Sequence, residues 1–167
     1  MDNVQSMIQE LEQEAISVRR LLKLVPSDHL DWRPHQKSMS LGQLGLHVAS
    51  IPGGVSNLLL TDGFDGSKAN FTVAQPKSTD EILTSLETGL SRAKQVLGDL
   101  DAQKAVSPWR LSKGDQEIFT IPRIGVARTI MLNHWYHHRG QLTVYLRLLD
   151  VLLPVTYGRS ADTNPFA

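Results

Sequence analysis

The stretch TIPRIGVARTIMLNHWYHHRGQLTVYLRLL, residues 120–149, decides how this chain folds. Thr120 followed by Pro122 is a helix-opening signal, because the N–H that proline lacks has no intrahelical partner in a first turn. From there Ala127, Met131, His134, His138, Gln141, Tyr145 and Leu148 recur at three- and four-residue steps, which predicts a helix to about Leu149 with these residues on its inward stripe. His134 and His138 then stand one above the other on a single face. Two imidazoles so placed bind one ion with little rearrangement, as in other helix-borne zinc sites. Periodicity does not choose between this pair and His134 with His137. Arg139 lies about 100° round the helix from the ligand face, a position for anchoring the fold or a dimer contact. Trp135 reads as packing.

Three further stretches have helical periodicity. Val4, Met7, Ile8, Leu11, Ala15, Val18, Leu22 and Val25 form the first stripe, with basic residues late and Pro26 as its stop. The second runs from about Ser40 to Leu60 on Leu41, Leu44, His47, Ile51, Val55 and Leu58, and Pro52-Gly53-Gly54 predicts a kink or break inside it. The third opens at Ser78 with Glu81 three residues on, a capping box, and stops near Gly98.

The expected fold is therefore all-α, a four-helix bundle occupying residues 1–167 as one domain. Residues 61–77 read as a long Gly/Asp/Ser crossover. Extended, this segment reaches about 55 Å, against about 30 Å for a twenty-residue helix. The length permits the second and third helices to lie parallel, in an up-down-down-up order. Trp109–Leu111 and Glu117–Thr120 flank Ser112–Gln116, the pattern of a small hairpin before the last helix.

Composition narrows the function. Lys plus Arg equals Asp plus Glu at 17 each, which removes the electrostatic reason to expect nucleic acid or an anionic membrane as partner. Cysteine is absent, so disulfides, thiolate ligands and cysteine nucleophiles are excluded. Charges interleave with apolar residues through the first 22 positions, unlike a signal peptide or membrane span. A cytoplasmic location is expected. His47 sits on the apolar stripe of the second helix, where an unpaired ring costs about 1–3 kcal/mol to bury. A metal shared with the last helix would satisfy it. His29 and His35, in a polar loop, read as solvated.

These residues carry a resemblance. His134-Trp-Tyr-His-His138-Arg139-Gly140-Gln141 is similar to the H-x-x-x-H-R-G-Q helix of the DinB/YfiT-like metalloenzyme superfamily. Trp32-Arg33-Pro34, Ser38 and Leu41-x-x-Leu44-x-x-His47 resemble its first-ligand region, and Pro154–Gly158 resembles its tail. The resemblance implies the up-down-down-up bundle and the ligand set His47, His134 and His138, which favours His138 over His137. It also implies one divalent ion, zinc or nickel, and a homodimer. Some relatives transfer small-molecule thiols.

Three imidazoles with no fourth protein ligand leave a coordination position open, as in catalytic zinc sites. The expected activity is metal-dependent transfer of a low-molecular-weight thiol to an electrophile, or hydrolysis. The alternative is a non-catalytic, stress-related metal-binding bundle. Trp32, Tyr136 and Gln141 are the candidate pocket residues, with Gln141 placed to bond a bound molecule or a ligand ring. No Asp or Glu falls on the ligand stripes, so no general base is assigned.

Overall fold

The computed structural model describes residues 3–164. Helix α1 (Asn3–Leu22) buries Val4, Met7, Leu11, Ala15, Val18 and Leu22, the stripe its periodicity dictates. Helix α2 (Leu41–Leu58) starts at Ser40, whose hydroxyl accepts from the Gln43 N–H while the Gln43 side chain accepts from the Ser40 N–H. Two N–H groups without helical partners are satisfied by that exchange. Helix α3 (Thr79–Gly98) opens at Ser78, which caps Glu81.

The break expected at Pro52 does not occur; α2 continues through it. Proline at this position frees the carbonyl four residues back, that of Val48. The indole N–H of Trp135 donates to that carbonyl at 2.8 Å. A lost helical bond is thus replaced by a tertiary one that ties α2 to the last helix, one residue from each of His47 and His134.

The directions of the long helices follow from their contacts. Gly45 faces Ile82 and Gly53 faces Gly89, so α2 and α3 run parallel. Glu12 pairs with Lys94 and Arg19 with Glu87, so α1 opposes α3. Val48 meets Trp135 and Met39 meets Tyr145, so α2 opposes the last helix. The order along the chain is up, down, down, up. At Gly53 a Cβ would lie 2.8 Å from the Gly89 Cα, a backbone atom that cannot step aside. Gly53→Ala is expected to destabilise by at least about 1–3 kcal/mol, read as a lowered urea midpoint with unchanged slope.

The fold is nevertheless not purely α-helical. The crossover after α2 contains strand β1 (Gly63–Asp65), followed by a 3₁₀ turn at Gly66–Lys68. After a short helix α4 (Ala102–Val106), strands β2 (Pro108–Lys113) and β3 (Gln116–Pro122) form the hairpin. Gly114 opens its two-residue turn at φ 59°, a conformation that suits glycine first in such a loop. β1 pairs parallel to β2, giving a three-stranded mixed sheet in the order β1-β2-β3. The all-α class is corrected on this ground. A three-residue strand carries no readable alternation, and its partner lies far along the chain.

Two buried side chains seat the sheet on the helices. Trp109 is fully buried and donates its indole N–H to the Leu58 carbonyl at 2.9 Å. Arg123, 2% exposed, donates to the Leu59 and Thr61 carbonyls and pairs with Asp62 at 2.6 Å. The end of α2 and the start of the crossover are held against the last helix by this one guanidinium.

That last helix has three parts: α5 (Arg123–Val126), a π-helical segment (Ala127–Asn133) and α6 (His134–Leu148). The wider i→i+5 turns of the π segment change the phase of the side chains that follow. The inward stripe of α6 is Trp135, Arg139, Leu142 and Leu146. His134, His138 and Tyr145 are half-buried beside it, and Gln141 and Leu148 are exposed. The stripe drawn from a uniform 3.6-residue period is corrected by one position.

Candidate metal centre

His47 projects from the middle of α2, held in register by the Ser40 cap below it and the Val48–Trp135 bond beside it. His134 is the first residue of α6, at the exit of the π segment. Such segments recur at functional sites because they re-aim side chains. His138 follows one turn later.

The three rings converge. One nitrogen from each lies within 4.8 Å of the others. The Nε2 atoms of His47 and His134 are 3.4 Å apart, and those of His134 and His138 are 2.7 Å apart. Around a tetrahedral ion with nitrogen ligands at about 2.0–2.1 Å, nitrogens sit about 3.3 Å apart. The His47–His134 pair already has that spacing, and His138 needs to draw back by about half an ångström. A divalent ion fits this donor set. His137 is exposed and is not in the converging group, although its ring centroid lies 4.9 Å from that of His138.

All three rings are kept neutral, the form a ligand needs. Burial pushes His47 down to about 4, with His138 and His134 adding repulsion to its charged form. Burial also lowers His134, helped by His137 and opposed by the Ile130 carbonyl that bonds its ring. His138 is lowered by burial, against the bond to Gln141. The sign for folding follows. Below 6.5 an unfolded chain takes up protons that the folded chain refuses until near pH 4 at His47, so metal-free protein loses stability as pH falls across that window. Thermal melts of metal-free protein from pH 7.5 to 4.5 should show a steeper fall in Tm for wild type than for His47→Leu.

Gln141 bonds one of the three rings. Its Oε1 accepts from His138 Nδ1 at 2.7 Å, which puts the proton on Nδ1 and leaves the Nε2 lone pair facing His134. Partners of this type set tautomer and orientation, and their loss costs about 10–100-fold in metal affinity. Gln141→Leu should show that loss in a competitive chelator titration while keeping one ion per chain.

The other two candidate pocket residues have contacts of their own. Trp32 stacks edge-on against Tyr145, ring centroids 5.8 Å apart. Tyr136 faces α1, where its hydroxyl donates to Glu10 at 2.6 Å beside Arg128. Burial, then Glu10, raises its pKa, so it makes a poor proton donor at neutral pH.

The walls next to the histidines come from the crossover, the hairpin and the π segment, none of which the sequence reading assigned to the site. His47 and His134 border an apolar cavity of about 470 Å³ lined by Phe64 and Phe71 of the crossover, Trp109 and Leu111 of β2, and Ile130 of the π segment. A second cavity, about 430 Å³, shares His47, Ser50 and Phe71 and continues along residues 70–74. No carboxylate lines either cavity among the described residues. No local pattern announces these walls, because they join residues of α2, the crossover, β2 and the π segment that lie far apart in the chain.

Among the described residues no helix is long and apolar enough to cross a membrane. No curated protein matches the sequence. Solved structures do match in fold. A DinB-like protein from Bacillus cereus aligns over 92% of this chain and 97% of its own, with TM-score 0.69 and 20% identity. One from Bacillus subtilis aligns over 90% and 96%, with TM-score 0.68 and 16% identity. A member of the same family from Exiguobacterium sibiricum aligns over 93% and 97%, with TM-score 0.67 and 19% identity. The DinB family model matches residues 1–164, a span that takes in both helices bearing the three histidines, and the chain belongs to the DinB family.

Proposed function

We propose that this protein is a cytoplasmic metal-dependent transferase that joins a low-molecular-weight thiol to an electrophile, with zinc or nickel on His47, His134 and His138. The observation that carries this reading is that two cavities meet at His47. A transfer reaction needs room for two reactants beside one centre, whereas an ion with a purely structural role needs none. A divalent ion held there supplies Lewis acidity that lowers the pKa of a coordinated thiol or water.

The chain's own residues do the remaining work. His138, oriented by Gln141, and His134, at the head of α6, present their ring nitrogens to the centre. The apolar wall excludes water from one side of the centre. In the reaction a sulfur–carbon bond forms as the carbon–leaving-group bond breaks. The leaving group departs with its electron pair, and the thiol proton goes to solvent, since no carboxylate among the described residues lines either cavity. The partners in this reading are a small thiol and a second copy of the chain, the latter checked by sedimentation.

The test uses protein purified without an affinity tag. Its metal content is measured, and thiol conjugation to 1-chloro-2,4-dinitrobenzene is followed for a panel of small thiols. Conjugation above background that chelation abolishes and zinc or nickel restores is the expected result. If every rate stands at background level with the metal in place, and chelation merely lowers Tm, the ion is structural and the transferase reading fails.

A further inference from the structure

We infer that the cavity beside His47 and His134 is the subsite for an uncharged, apolar electrophile, and that it rejects anions. This rests on the proposed transferase reading and adds to it the chemical class of the second substrate.

The lining decides the chemistry. Ile51, Val55, Leu58, Phe64, Trp109 and Leu111 make a wall without a single charged side chain. Apart from the imidazoles, Ser50 supplies the one side-chain hydroxyl. Its volume, about 470 Å³, lies within the range of pockets that enclose a small organic molecule. An anionic group seated against this wall, away from the ion proposed at the histidines, surrenders its hydration and meets no cation or donor cluster to replace it, which costs far more than any packing returns. An aromatic or branched aliphatic body loses only unfavourable contact with water. Polar groups are confined to the histidine end, so a molecule seated here buries its body against the sheet and turns its one reactive carbon towards the histidines.

The rim agrees with a path for entry. Phe71 is 77% exposed and Ile118 is 55% exposed, yet both border the cavity. Large apolar side chains left in water at the mouth of an apolar cavity give an incoming apolar molecule its first contacts. The sheet has a function in this account: β1 and β2 supply one wall, and without them the site would be an open groove between α2 and the last helix.

A matched pair of fluorescent probes tests this on metal-free protein, so the outcome does not depend on the metal. N-phenyl-1-naphthylamine and 8-anilino-1-naphthalenesulfonate share a skeleton and differ by one sulfonate. The neutral probe should bind with one equivalent per chain and at least tenfold more tightly than the sulfonate. Phe71→Glu and Ile118→Glu, both at exposed positions, should each weaken it at least tenfold, while Leu152→Glu, exposed at 71% on another surface, should change nothing. Equal affinity for the two probes, no saturable binding of the neutral one, or indifference to both rim variants overturns the inference. Failure of the metal reading would show separately, as absence of zinc or nickel from protein that still binds the neutral probe.

Discussion

His47→Ala and His138→Ala are each expected to weaken zinc or nickel binding by well over a hundredfold, whereas His137→Ala keeps one ion per chain at near wild-type affinity. The size follows from coordination chemistry. Loss of an outer partner that merely orients a ligand costs about 10–100-fold, and loss of the ligand itself must cost more. The choice of residues follows from geometry. His47, His134 and His138 bring their nitrogens within 4.8 Å of one another, and His137 looks into solvent one residue away. Isothermal titration or chelator competition gives the affinities, and elemental analysis gives the stoichiometry. The informative failure is a reversal: if His137→Ala strips the ion and His138→Ala does not, the site uses the outer face of α6. His137→Ala also serves as the control for folding, because its exposed ring can be removed without opening a cavity.

Arg139→Leu should lower stability by about 3–5 kcal/mol while leaving the ion in place. Arg139 belongs to the same short motif as the ligands but points to the opposite partner. Its guanidinium is buried, pairs with Glu14 of α1, and also donates to the Tyr157 hydroxyl, which itself donates to Glu14 at 2.7 Å. The Glu14 side chain is only 14% exposed. Removing one member strands a carboxylate away from water, and that penalty exceeds what the pair contributes when intact. For a chain of this size each kcal/mol moves Tm by about 2–4 °C, so a drop of roughly 10 °C is expected by calorimetry, with metal content unchanged. Replacing Glu14 by Leu in the same chain should recover much of the loss, since the stranded charge is then gone. A melt within two or three degrees of wild type for Arg139→Leu alone would mean that Glu14 finds water after all, and that the motif's arginine has some other purpose.

Both outcomes bear on how much could be read before the chain was seen folded. The helix bearing His134 and His138 announced itself because two histidines four residues apart is a local pattern, set by helical pitch alone. His47 stood out because it interrupts an apolar stripe. The caps at Ser78 and the hairpin near residue 114 were legible for the same reason, each being a rule about neighbours. Spacing left Gln141 the choice of a bound molecule, a ligand ring or a helix–helix bond, and in the structure it bonds the His138 ring.

Local chemistry by itself determined the four long helices and the residue types able to hold an ion, because backbone propensity and side-chain spacing act over a few residues. Tertiary packing decided the rest. It carried α2 unbroken through Pro52 by lending the Val48 carbonyl an indole N–H from α6. It turned Trp135 and Arg139 into the core through the π segment, and folded part of the crossover into a strand against β2. It also set an apolar wall drawn from distant segments beside His47 and His134. Each of these depends on contacts between residues far apart in the chain, whose free energy appears only once the partners have met.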